Sequence, residues 1–246
     1  MLKLVDPESF DDLVIRAWLA VAQNACLRVS EYACDHTIPK HLTKEEKRNV
    51  LRWSDFKIDT TQDGTQYGTI RFDKSKTNWN RDEEFANLPC RCPNPCGLHE
   101  LLALKNQAFL RFGPEAANHP IFQWHDRRVL SKTQAFAMLK NLSARVGLDP
   151  TLYATHSLRK GGIVDAIIEG ASDAVLLNMG RWKSFDSIKS YIKLEQHHLA
   201  AIRSRHFRSA VFDSTSTLRT HRPSTTTHRT TQHAETIGYG PIRGTF

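Results

Sequence analysis

Thr155-His156-Ser-Leu-Arg159-Lys-Gly-Gly is followed by Asn178-Met-Gly180-Arg-Trp182-Lys-Ser184 and then by Ser190-Tyr191-Ile. At a helix start, His156 and Arg159 are three residues apart and share one face. Such a pair can grip one anion, the arginine through its planar fork and the histidine through a proton exchangeable near neutral pH. Trp182 adds an indole N–H, a donor without acceptor capacity, and Tyr191 adds a phenol nine residues further on. A phenol beside histidine and arginine is equipment for covalent catalysis at phosphorus, which needs cations and donors around the equatorial oxygens and an in-line nucleophile. With a free pKa of about 10, tyrosine is a poor nucleophile at neutral pH without such neighbours.

These residues need elements to hold them. Phe10, Leu13, Val14, Ala17, Trp18 and Val21 recur at helical spacing and predict an amphipathic helix over residues 8–24. After a break at Asn24–Leu27, Arg28-Val-Ser-Glu-Tyr-Ala-Cys predicts a further helix, while Pro39 and the charged run Lys44–Arg48 mark a loop. Alternation from Val50 to Ile58, Tyr67 to Phe72 and Phe85 to Pro89 predicts a three-stranded antiparallel sheet, with Asp63-Gly64 signalling the first hairpin. Leu98, Leu101, Leu102, Leu104, Ala108 and Phe109 give the core face of a helix, and Ser131 with Gln134 forms a capping box ahead of Phe136, Leu139 and Leu142. Further helices fit 157–169, 173–179 and 185–208, with breaks near Gly170 and Gly180. No internal repeat is present.

The pattern resembles the tyrosine recombinases, the phage integrase family. Their C-terminal signature is His-x-x-Arg, then Gly with His or Trp, then Tyr nine residues later, and here it reads His156-x-x-Arg159, Trp182 and Tyr191. Ala25-Cys-Leu-Arg28-Val-Ser-Glu31 is similar to their first-arginine box, written Gly-Leu-Arg-x-Ser-Glu. Leu51-Arg-Trp-Ser-Asp55 looks like the strand that follows it, and Ser75-Lys76-Thr77 falls where the β-hairpin lysine belongs. The resemblance covers roughly residues 8–208. It implies an α+β, mostly helical catalytic-domain fold with a small three-stranded sheet over residues 1–210.

The roles it implies run residue by residue. Tyr191 attacks a DNA phosphodiester to give a 3′-phosphotyrosyl bond and a free 5′-hydroxyl; Arg28 and Arg159 hold the non-bridging oxygens; Lys76 protonates the leaving oxygen. His156 is the acid/base partner, Trp182 donates to the phosphate, and Glu31 orients its neighbours. Lys74 stands two residues from Lys76 and either could reach the phosphate, with Lys76 preferred for its Ser-Lys-Thr setting. Lys74, Lys160, Arg181 and Lys183 are the expected DNA contacts. The implied partner is double-stranded DNA gripped by a homotetramer, with no cofactor and no small-molecule substrate. Two other readings share these residues: a type IB topoisomerase-like nicking-closing enzyme, and a non-catalytic DNA-binding relic of a mobile-element recombinase. Family members carry an N-terminal DNA-clamping domain, whereas this chain begins almost at the first catalytic helix, so that domain is expected to be missing. The Gly180–Ser184 form is closer to recombinases of eukaryotic mobile elements.

Cys90-x-Cys92-x3-Cys96-x2-His99 is a second constellation. Four such ligands could close a structural zinc site; a zinc-dependent interaction module is a separate reading, which would need stoichiometric zinc and indifference to Tyr191. The spacing departs from paired C-x2-C knuckles, and reduced thiols in a loop after the sheet are the preferred reading, so no metal is assigned.

Bulk composition agrees with an anionic partner. The 246 residues carry a net charge of +8, with 40% hydrophobic and 24% charged residues, enough for a sizeable core and unlike a disordered or collagen-like chain. Residues 201–246 hold +5 of that charge and the first 200 only +3, so an anion site in the main domain must come from placement. From Asp213 to His233, 11 of 21 residues are Ser or Thr; such a stretch cannot offset its chain entropy by apolar burial, and residues 211–246 are expected to form a disordered tail. No apolar run approaches the ~20 residues of a membrane span, the start lacks a secretory signal, and five cysteines are an odd number. An intracellular protein is expected, nuclear in a eukaryotic host and cytoplasmic in a bacterial one.

Overall fold

The computed structural model describes residues 1–6, 8–72, 84–92, 95–184, 186–189 and 191. They fall in the first of two units, Met1–Ile202; the second, Arg203–Phe246, lies outside them, as does the whole Ser/Thr-rich tail.

Helix α1 (Phe10–Asn24) is the hub. Ser9 caps it by accepting from the Asp12 N–H at 3.4 Å, and Asp11 and Asp12 in the first turn favour the positive end of its dipole. The predicted apolar stripe is present, but Leu19, Ala20 and Ala22 are buried as well. Packing explains the difference: α1 contacts α4 (Gly97–Phe112), α6 (Thr155–Ile168) and strand β3 (Glu84–Pro89), so little of its circumference faces water. Side chains tie these partners down. Arg16 forks onto Glu100 of α4 at 2.5 and 3.0 Å, Gln23 donates to Asp165 of α6 at 2.7 Å, and buried Asn24 Oδ1 accepts from the Gly97 N–H at 2.8 Å.

The sheet has the order β1-β2-β3, all antiparallel, with β1 at Phe56–Thr60 and β2 at Gln66–Phe72. Period-two alternation puts Gly68, Ile70 and Phe72 of β2 and Ala86 and Leu88 of β3 against the helices. In β1 only Phe56 is buried. Gly64, at φ +85°, makes the turn of the first hairpin, as Asp63-Gly64 signalled. Leu51–Asp55 differs from its expected strand: residues Trp53–Asp55 form a 3-10 turn, held by the Arg52 N–H on Asp55 Oδ2 at 3.0 Å, and the strand starts at Phe56.

Between these elements run α2 (Val29–Tyr32), α3 (Lys44–Asn49) and α5 (Lys132–Arg145), and α7 (Asp173–Gly180) and α8 (Asp186–Lys189) follow α6. The Ser131–Gln134 capping box opens α5. The run Lys44–Arg48, expected as a loop, belongs to α3. Thr43 and Glu46 form a reciprocal box there, with bonds of 3.1 and 2.8 Å, and that signal outweighs the dense charge.

Two adjacent glycines of α6 face different surroundings. A Cβ on Gly162 would lie 1.9 Å from the Gln23 carbonyl oxygen of α1, whereas one on Gly161 would meet nothing nearer than 3.7 Å. Gly162→Ala should therefore cost about 1–3 kcal/mol through overpacking. Gly161→Ala should be neutral or stabilising by up to about 1 kcal/mol, from helix propensity. Urea unfolding of both variants checks this, and equal effects would overturn the close α1–α6 contact.

Candidate active site

The phenol comes first. Ile188 of α8 is fully buried in a small cluster with Cys26, Ile163, Ala166 and Leu176, and Trp182 and Tyr191 pack against that cluster. The Tyr191 N–H continues the turn by donating to the Ile188 carbonyl at 2.7 Å. This seats the Tyr191 ring with its centroid 4.9 Å from Trp182 and 5.3 Å from His156. Tyr191 Oη and His156 Nε2 are 2.6 Å apart, joining residues 35 positions distant in the chain. His156 sits on the exposed first turn of α6.

The arginines converge from three places. Arg28, just before α2, bonds Glu31 Oε1 at 2.8 Å and reaches the carbonyls of Gly180 and Arg181 at 3.4 and 3.1 Å. Arg159 of α6 donates to the carbonyls of Cys26 and Gly180, and its guanidinium lies 4.7 Å from the Trp182 ring centroid. The Gly180 carbonyl thus accepts from both. His156 and Arg159 do not share one open face as their spacing suggests. Backbone acceptors turn Arg159 inward, to 1% exposure, while His156 stays at the surface.

Arg181, expected among the DNA contacts, is a correction. It is 7% exposed and its guanidinium binds Glu31 Oε2 at 2.5 Å, the Ala25 and Cys26 carbonyls at 3.2 and 3.3 Å, and lies 4.8 Å from the Phe72 ring of β2. Its backbone adopts the left-handed conformation, φ 50° and ψ 51°, where α7 ends. The Arg181 N–H bonds the Asn178 carbonyl and the Trp182 N–H the Leu177 carbonyl, both at 2.9 Å, the two bonds of a Schellman stop. The expected break near Gly180 is therefore made by Arg181. Gly180 has another duty: a Cβ there would lie 1.9 Å from the Trp182 ring. No local pattern announces Arg181's burial, because its carboxylate partner is 150 residues away.

The remaining positions separate cleanly. Lys160 and Lys183 are exposed near His156 and Trp182 along the chain. Lys74 and Lys76 lie between the ends of β2 and β3, outside the described residues. Glu31 is 6% exposed and its carboxylate bridges Arg28 and Arg181. Cys90, Cys92, Cys96 and His99 gather at the β3–α4 junction, where they could hold a metal.

Electrostatically, Glu31 pairs with Arg28 and Arg181 while Arg159 bonds backbone carbonyls, so these four side chains carry two more positive charges than negative. Burial and the neighbouring Arg28 and Arg181 lower the Arg159 pKa from its ordinary value, so a further anion would relieve the cluster. Desolvation, together with Arg159 and Lys160, lowers the pKa of His156. The shift favours the neutral imidazole, whose Nε2, in the tautomer protonated at Nδ1, can accept the phenolic proton.

No protein-family model and no curated protein matches the chain. Among solved structures it is similar to the integrase of the Tn1549 transposon in complex with transposon right end DNA, with a TM-score of 0.43 and 15% identity. The match covers 79% of this chain and 58% of that one, so this chain spans less than two thirds of the neighbour's length.

Glu31→Ala leaves buried guanidiniums without their anion and should cost about 3–5 kcal/mol in urea unfolding. Lys132→Ala, which breaks an exposed pair with Asp35, should cost less than about 1 kcal/mol. Similar losses would contradict the assignment. Lys160→Gln removes a cation that disfavours the imidazolium, so the pKa of His156 should rise toward its usual value. An NMR titration of its ring protons reads this, and an unchanged or lower midpoint would refute the Lys160 contribution.

Proposed function

We propose that this chain is the catalytic domain of a DNA strand-exchange enzyme, which cuts and rejoins duplex DNA through a 3′-phosphotyrosyl intermediate. The observation that carries the reading is the 2.6 Å contact between Tyr191 Oη and His156 Nε2, set beside Trp182 and the guanidinium cluster. A phenol beside an imidazole, with an excess of fixed positive charge, is what in-line attack on a phosphodiester requires.

In the forward step the phenolic proton passes to His156 Nε2 and Tyr191 Oη bonds to phosphorus. The bond from phosphorus to the 5′-oxygen breaks, and that oxygen takes a proton, from Lys76 on this reading. Arg159 uses two of its five N–H donors on the Cys26 and Gly180 carbonyls, which keeps the fork fixed, and from that buried seat it acts on the phosphate through its charge. Arg28 and the Trp182 indole N–H contribute further donors, and preorganised donors stabilise the developing charge without reorganising. Rejoining reverses each step, with a 5′-hydroxyl attacking the phosphotyrosine. One phosphodiester is exchanged for another, so no nucleotide is consumed.

The net charge of +8 supports duplex DNA as partner, and the grip should fall steeply with salt as counterions are released. On this reading the enzyme works inside the cell, as a tetramer spanning two duplexes.

Covalent trapping tests the reading. Duplexes carrying a nick that lets the cleaved end diffuse away should yield an adduct that survives SDS, and Tyr191→Phe should abolish it. An adduct persisting in Tyr191→Phe would displace Tyr191 as nucleophile. Salt-sensitive binding without any adduct would favour a relic that binds without cutting.

A further inference from the structure

We infer that Cys90, Cys92, Cys96 and His99 hold one structural zinc(II) ion that clamps the end of β3 to the start of α4. All four ligand atoms lie within 4.8 Å of one another, with Cys92 Sγ 3.1 Å and Cys90 Sγ 3.8 Å from His99 Nδ1. In a tetrahedral site with Zn–S of about 2.3 Å and Zn–N of about 2.0–2.1 Å, donor atoms sit about 3.5–3.8 Å apart. The observed separations bracket that value, so small side-chain rotations close the site.

The donors arrive from two pieces of backbone, the end of β3 and the start of α4. Cys90 directly follows β3, Cys96 is the N-cap of α4, and His99 is in the first turn of that helix. A thiolate at a helix N-terminus is favoured by the unpaired N–H groups and the dipole there. The Arg91 N–H donates to Cys96 Sγ at 3.2 Å, an outer-shell contact of the kind that orients a metal ligand. Three thiols and an imidazole select a soft or borderline metal over calcium or magnesium. Four protein ligands leave no open position, which makes the site structural rather than catalytic. The rival chemistry, a disulfide, would use two thiols and give neither the third thiol nor His99 a reason to be there.

The clamp reaches further through Arg91. Its guanidinium pairs with Glu169, the C-cap of α6, so the turn braces the far end of the helix that begins with Thr155 and His156. This inference does not depend on the proposed activity.

The full chain, purified with reductant and without a metal column, should contain about one zinc per chain by mass spectrometry of the metal. Cobalt(II) added to chelator-treated protein should give the thiolate charge-transfer and intense d–d bands of a tetrahedral centre. Cys92 is exposed, so Cys92→Ser leaves the core intact; it should weaken zinc binding at least about tenfold while far-ultraviolet dichroism is unchanged. His99→Ala should shift the d–d bands. Metal-free reduced protein with no tetrahedral cobalt spectrum would overturn the site, as would zinc binding indifferent to both substitutions.

Discussion

Arginines seated on the carbonyl ends of two helices organise this molecule. Helix α1 stops at Asn24 and α7 stops at Gly180, and each leaves C-terminal carbonyls that its own backbone cannot satisfy. Those of Ala25 and Cys26 after α1, and of Met179 and Gly180 at the end of α7, accept from Arg159 and Arg181. Helix C-termini are also the negative ends of their dipoles, so cations belong there. The single carboxylate of Glu31 neutralises part of the charge and joins Arg28 to Arg181. Buried charges are tolerated only with such partners.

Several local peculiarities follow from that arrangement. Cys26 takes a left-handed backbone at φ 49°, turning its carbonyl toward Arg159 and Arg181. Arg181 does the same where glycine is the usual occupant, at a cost of about 1–2 kcal/mol. The buried ion pair and carbonyl bonds of its guanidinium offset that strain. Gly180 lets the Trp182 ring lie against the backbone, which carries the indole under Arg159 and beside Tyr191. The site is therefore built from the inside outward, with a rigid cationic floor below and a histidine–tyrosine pair at the surface.

The two halves of the site are held by different kinds of contact. Arg28 and Arg181 are fixed by backbone carbonyls together with the Glu31 carboxylate, and Arg159 by two backbone carbonyls. Tyr191 packs against the cluster that holds fully buried Ile188, and its Oη meets His156 Nε2 at the surface.

Much of this was legible in the residues alone. The period-3.6 stripe of α1, the alternation in β2 and β3, and the Ser131–Gln134 box announced elements that formed, because local hydrogen bonding and one-sided burial decide them. The Thr43–Glu46 box was equally readable beneath its charges. Spacing also singled out His156, Arg159, Trp182 and Tyr191, since one motif carries all four. It could not tell which arginine faces solvent and which is buried. Arg181 lies between Gly180 and Trp182 and looks like a surface cation, yet Glu31, 150 residues earlier, and two helix ends draw it inside. Burial of a charge depends on partners distant in the chain, and only the folded structure brings those partners together.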